Sequence, residues 1–168
     1  MSESYRTQLT LFVNSPESQI IDKIRERYNP IQYSLIKPHI TLCREEEIIN
    51  IEKVTKNLEN LKFEAFSLEL GKPTRFNDAN GLYLPIVGNS EKYFQLRKLI
   101  LNEVFETISN PLPHITIMHP KNSSCSNEIF NQIISFNIPQ LVNFSCVSLI
   151  TQRNNEKWIT VKEFHLLS

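Results

Sequence analysis

The chain has 168 residues, with eighteen basic side chains balanced by eighteen acidic ones and a formal net charge of zero. Its 40 % hydrophobic and 21 % charged content is that of an ordinary globular domain. The missing basic excess argues against a protein that grips long nucleic acid through counterion release, and leaves room for a small phosphorylated ligand held by a few local cations. No window approaches the roughly 20 apolar residues of a membrane span, and the N-terminus has no apolar core with a basic flank, so no leader and no membrane are expected. Cys43, Cys125 and Cys146 are odd in number and widely spaced, which points to a reducing, cytoplasmic location and away from a disulfide framework.

Taken in chain order, QLTLFV reads as a first strand, and Ser15-Pro16 as a helix cap followed by proline at the first helical position. Ile20, Ile21, Ile24 and Tyr28 trace one helical face. A loop leads to Pro38-His39-Ile40-Thr41, read as a strand, and then to a helix marked by Ile51, Val54, Leu58 and Leu61. Alternation in KFEAFSLELGKP gives another strand. GLYLPIV is the next, with Ser90 capping a helix whose stripe is Tyr93, Leu96, Ile100 and Val104. Pro113-His114-Ile115-Thr116 follows as a strand, then a helix over Ile129, Phe130, Ile133 and Ile134. VNFSCVSLITQRNNEKWITVKEFHLL reads as two strands around a turn at Asn154-Asn155.

These elements repeat. Sliding the chain by 75 residues superposes the two Pro-His-Ile-Thr segments, Asn14-Ser15 on Asn89-Ser90, and Leu9, Leu11 and Phe12 on Leu84, Ile86 and Val87, without a gap. The expectation is one bilobal domain over 1–168 with duplicated units starting near residues 8 and 82. The fold class is α+β: two pseudo-symmetric lobes, each a mostly antiparallel sheet with helices on its outer face, with the His-x-Thr strands lining a central cleft.

Side chains alternate along a strand, so His39 and Thr41 share one face, as do His114 and Thr116. Two lobes related by a pseudo-twofold axis bring two imidazoles and two hydroxyls to one point. Phosphodiester transfer needs a base for the attacking hydroxyl, an acid for the leaving oxygen, and donors for the non-bridging oxygens. Imidazole titrates near neutrality and serves as either acid or base, while threonine hydroxyls donate without competing for the protons in flight. A lone histidine on a strand is more often a packed core residue; the same tetrapeptide at matching places in a repeat reverses that weighing. Persistence of both segments as inherited scaffold stays open.

The paired His-x-Thr motifs, each followed by an apolar residue, resemble the two-histidine (2H) phosphoesterase superfamily over nearly the whole chain. That group includes 2'-5' RNA ligase-like proteins and cyclic nucleotide phosphodiesterases. The resemblance implies His39 and His114 as acid and base, Thr41 and Thr116 as phosphate ligands, no metal and no cofactor. It implies a small nucleotide or RNA-end phosphodiester as substrate, opened at a 2',3'-cyclic or related phosphate. Cleavage or ligation of 2',5' linkages is the alternative, and a non-catalytic nucleotide-phosphate sensor is a third reading. Relatives often place an arginine where this chain has His119, so His119 is a further phosphate-binding candidate; Arg44 is its weaker counterpart after the first motif. Strict strand parity would turn both away from the cleft.

Arg75, Phe76 and Tyr83 offer a cation and rings for base stacking, against the plainer reading of core or turn residues. His114, His119 and Cys125 have no standard zinc spacing. Cys43 would share the face of His39 and pair with it as a nucleophile, but that leaves the repeated threonines unexplained. The Arg44-Glu-Glu-Glu-Ile run reads as a solvated loop or helix start. No protein partner is implied, and a monomer is expected.

Overall fold

The computed structural model describes residues 4–168, so the first three residues of the 1–168 reading lie outside the described residues. Strand β1 (Tyr5–Phe12) leads to helices α1 (Glu17–Tyr28) and α2 (Pro30–Leu35), then β2 (His39–Cys43), a 3-10 turn over Glu45–Glu47 and α3 (Ile51–Glu59). Strands β3 (Phe66–Leu70), β4 (Thr74–Arg75) and β5 (Leu82–Val87) precede α4 (Glu91–Ile100) and β6 (His114–Met118). Helix α5 (Asn127–Ile134) is followed by β7 (Leu141–Phe144), β8 (Cys146–Arg153) and β9 (Ile159–His165).

All pairings among the named strands are antiparallel. The nine-stranded sheet runs β7-β3-β5-β6-β2-β1-β8-β9, with β4 beside β5. Its midpoint is the β2–β6 pair, the two Pro-His-Ile-Thr strands, joined at Ile40 opposite Ile115. Outward from it, β1 and β5 take equivalent places, then β8 and β3, then β9 and β7. Strand β3, from the first half of the chain, therefore belongs to the second lobe's sheet. The long run expected as one strand from Val142 is broken at Ser145: β7 sits at one end of the sheet and β8 joins β1 in the other lobe. Asn154 and Asn155 both adopt left-handed φ (46° and 63°), the hairpin turn read from the sequence.

The core lies under one face of the sheet. Leu9, Leu11, Ile40, Leu42, Ile115 and Ile117 are fully buried there with Ile21 and Ile24 of α1, Val54 of α3, Leu96 and Ile100 of α4 and Ile133 of α5. The helical stripes read from the sequence are thus the packed ones, apart from Ile20, Ile51 and Ile134, which are exposed. Helix α1 packs on β6 and α4 on β2, so each half's helix supports the other half's motif strand. Caps differ in detail. Helix α1 begins after Pro16, which is itself the cap, with no side-chain bond from Ser15. At α4 the Glu91 N–H is taken by Asn89 Oδ1 at 2.8 Å, not by Ser90.

The ungapped offset of 75 also needs adjustment. In β1, Leu11 faces Ile40; in β5, it is Leu84 that faces Ile115. Structural counterparts in these strands are therefore two residues off the sequence alignment. An even slip keeps every side chain on its expected face, which is why the pattern survived it.

Candidate active site

Strands β2 and β6 carry the same burial sequence: motif histidine and threonine partly open, the residue between them and the two after them buried. Continuing the antiparallel register one residue either side of Ile40–Ile115 sets His39 beside Thr116 and Thr41 beside His114. All four side chains line one cleft of about 980 Å³. The two pairs meet across a single strand boundary, where opposite Cβ atoms stand about 5 Å apart.

The rings are held alike. His39 Nδ1 lies 2.8 Å from the Lys37 carbonyl and His114 Nδ1 2.9 Å from the Leu112 carbonyl, each two residues upstream. A carbonyl only accepts, so Nδ1 carries the hydrogen in both rings and Nε2 is the atom free for chemistry. That bond persists whether Nε2 is bare or protonated, so neither ring must turn during proton transfer. The aromatic backing differs: Phe12 meets His39 edge-on at 6.1 Å, while Phe76 and Tyr83 meet His114 at 5.6 and 5.3 Å.

Burial pushes the His39 imidazole down to about 4, against its bond to the Lys37 carbonyl; the charges of Arg25, His114 and His119 push the same way as burial. His39 is therefore neutral at physiological pH in the empty site. Burial also lowers His119, with the charges of Lys121 and Arg6 adding to it. His119 Nδ1 accepts the Lys121 N–H at 3.1 Å, so neutral His119 carries its hydrogen on Nε2, the tautomer opposite to the motif histidines.

Both Arg44 and His119 line the cleft, against the parity expectation. The cause is a register irregularity repeated in both lobes. Thr10 pairs with Thr41 but Leu9 with Cys43; Tyr83 pairs with Thr116 but Leu82 with Met118. Each motif strand gains one residue there, a β-bulge that reverses parity just beyond the threonine. Cys43 and Met118 consequently turn to the core, and positions 44 and 119 return to the cleft. Cys43 is fully buried and burial pushes its thiol up to about 12. The nucleophilic Cys43–His39 pairing is thereby corrected: the thiol faces away from the histidine and stays protonated.

The stacking candidates fall elsewhere. Arg75 donates to the carbonyls of Ala79, Cys125 and Ser126 and to Asn127 Oδ1, and its guanidinium lies 4.8 Å from the Phe130 ring. It pins the loop before β5 to the start of α5 and has no part in the cleft wall. Phe76 and Tyr83 stack on each other at 4.6 Å and support His114 rather than lining the cleft.

Residues without a local sequence signal complete the site. Arg97, 1 % exposed on α4, donates to the Leu42 carbonyl, to both Glu47 oxygens (2.5 and 3.2 Å) and to Ser109. Burial would raise Glu47, but Arg97, the Arg44 N–H and the Ser109 hydroxyl hold it below the usual carboxylate range. One glutamate of the expected solvated run is thus a structural anion. Tyr93 donates to the Thr41 carbonyl at 2.9 Å. From the other side buried Asn29, at the end of α1, accepts the His119 N–H at 2.8 Å and donates to Asn122. Arg25, also 1 % exposed, binds Asp22 at 2.6 Å and the Ile36 carbonyl at 2.7 Å. The only hint in sequence is a basic residue set beside the apolar stripe of each helix: Arg25 next to Ile24, Arg97 next to Leu96. Helix α2, read as a loop, forms part of one cleft wall through Ile31, Gln32 and Leu35.

Among the described residues, metal ligands do not gather at the motif. Cys146, Glu163 and His165 place ligating atoms within 4.8 Å of one another, at the far edge of the first lobe. Among the described residues no helix is long and apolar enough to cross a membrane.

Comparison with known proteins bears on the fold and the family. The fold is that of Escherichia coli LigT: the apo form superposes with a TM-score of 0.67 at 14 % identity, covering 99 % of this chain and 100 % of that one. The LigT complex with 3'-AMP gives 0.68 at 14 % identity, covering 98 % and 99 %. A protein from Thermus thermophilus gives 0.59 at 11 %, covering 95 % and 97 %. No curated protein matches by sequence. The model of the 2'-5' RNA ligase superfamily matches residues 12–156, and the chain belongs to that superfamily of two-histidine phosphoesterases.

Proposed function

We propose that the protein is a phosphodiesterase that opens 2',3'-cyclic or related cyclic nucleotide phosphates with His39 and His114 as its acid–base pair. The observation that carries this reading is the matched pair of rings on adjoining strands, each fixed by an Nδ1–H bond to a carbonyl so that Nε2 faces one cleft. Their repetition at equivalent places supports descent of both units from one duplicated segment.

Pseudo-symmetry leaves the two roles interchangeable; the burial of His39 suits it to the part of the base. His39, neutral at working pH, takes the proton of the attacking water at Nε2 as the water oxygen bonds to phosphorus. His114 gives an Nε2 proton to the departing ribose oxygen as the P–O bond breaks. Solvent returns both rings to their starting states. Thr41 and Thr116 donate to the non-bridging oxygens, and the Nε2–H of His119 adds a third, uncharged donor, a role supported by its position in the cleft lining. The scheme routes no step through a metal. Run forward with an RNA 5'-hydroxyl in place of water, the same steps ligate an RNA end, and run backwards they cleave it, so hydrolysis and ligation share one site.

The test is a panel in chelator: 2',3'-cyclic nucleotides, ADP-ribose cyclic phosphate and 2',5'-linked oligoadenylate, with His39→Ala/His114→Ala beside the wild type. Turnover of one substrate by wild type alone is expected. Loss of that turnover in chelator, or an equal rate in the double variant, overturns the mechanism.

A further inference from the structure

The cleft extends away from the motif strands toward the β8–β9 hairpin, and that end is furnished differently from the reacting end. Trp158 is the protein's single tryptophan and lines the cleft just before β9. Its backbone N–H donates to the Leu35 carbonyl at 3.0 Å, which ties the hairpin to the end of α2. The Arg6 guanidinium lies 5.5 Å from the centre of the Trp158 ring. Arg6 pairs across β1–β8 with Gln152, another cleft residue.

Gln152 is only 4 % exposed, and its two amide atoms are treated unequally. Nε2 donates to the Glu156 carbonyl at 2.7 Å, which fixes the orientation of the amide. The remaining atom, Oε1, is buried and has no hydrogen-bond partner among the described residues. A buried acceptor left unpaired is destabilising, and a ligand donor would remove that cost. Trp158 supplies a flat apolar face, Gln152 a fixed acceptor, and Arg6 a cation.

We propose that Trp158, Gln152, Arg6 and Leu35 form a nucleobase subsite, which stacks the base on the Trp158 ring and selects bases presenting an N–H donor to Gln152 Oε1. This rests on the phosphodiesterase reading and extends it: the phosphate sits between the His-x-Thr pairs and the base on the hairpin side of the first lobe. Arg6 stands between the two ends, close enough for its charge to be felt at His119. Stacking on an aromatic ring tolerates any base, so the discrimination comes from the amide oxygen.

The unique tryptophan makes the test direct. Wild type is titrated with 3'-AMP, ribose 3-phosphate and inorganic phosphate, and binding is read by fluorescence and calorimetry. The nucleotide alone should perturb the Trp158 emission. Trp158→Ala should weaken 3'-AMP about tenfold or more by calorimetry, with Trp158→Phe restoring most of it. Gln152→Met should narrow the preference for 3'-AMP over purine riboside 3'-phosphate, which lacks the exocyclic amine. Wild-type affinity for 3'-AMP in a folded Trp158→Ala protein overturns the subsite. The two readings fail separately. Trp158-dependent binding without turnover of any cyclic phosphate removes the phosphodiesterase and keeps the subsite. Turnover with an unchanged ratio of kcat/KM for nucleoside over base-free ribose cyclic phosphate in Trp158→Ala does the reverse.

Discussion

The two motif strands are copies in backbone and opposites in surroundings. Both hold histidine by the same Nδ1–H bond and both carry the same bulge after threonine. Yet His39 feels the charge of buried Arg25 and has one phenylalanine at its edge, while His114 leans on the Phe76–Tyr83 pair. Beyond the bulge, one strand offers Arg44 and the other His119. A symmetric frame thus fixes where two like groups stand, and the packing around His39 keeps that ring neutral.

The largest expected effect tests whether both strands are needed. His39→Ala and His114→Ala should each lower turnover about 10²- to 10⁴-fold, and the double variant far less than the product, since the pair acts as a unit. A single variant with the wild-type rate would break the comparison outright. Next are the buried arginines beneath the strands. Arg97→Met should cost about 3 kcal/mol in urea unfolding by stranding Glu47 and the Leu42 carbonyl, and Arg25→Met less, since its partner Asp22 is 26 % exposed. Equal costs would mean that the extra bonds of Arg97 carry no stability.

The pH dependence sharpens the inequality between the histidines. Because the folded His39 value is about 4 and the ordinary value 6.5, the unfolded chain binds more protons between them. Stability should fall as pH drops through that window, with none of this loss above it, and His39→Gln should flatten the fall in urea midpoints measured between about pH 7 and 4.5. With His39 as base, the acid limb of kcat/KM should lie near 4; a limb near 6.5 would return the base to an ordinary imidazole. The smallest effect is Tyr93→Phe, which removes one bond to the Thr41 carbonyl and should cost about 1 kcal/mol of stability with a modest rise in KM.

Much of the site was legible because strand alternation and a tetrapeptide repeat are local signals. His39, Thr41, His114 and Thr116 needed only period two and the offset of 75 to be set together. The same rule misplaced Cys43 and left Arg44 and His119 pointing outward, because a bulge has no signature in a short apolar strand such as His-Ile-Thr-Leu-Cys. Arg75, Phe76 and Tyr83 carried the right chemistry, but Arg75 holds the start of α5 and the Phe76–Tyr83 pair backs His114.

The sequence by itself determined the units, the helical stripes, the family resemblance and the four motif side chains, because each is written in spacings of a few residues. Only the tertiary structure decided that β3 and β8 exchange lobes, that α1 and α4 each brace the other half's strand, and that Arg6, Gln152 and Trp158 meet at one end of the cleft. Those are contacts between segments up to about 150 residues apart, set by how the two lobes of one sheet close around a shared core. The depressed imidazole of His39 belongs with them, since burial is a property of the packed molecule and of no stretch of chain.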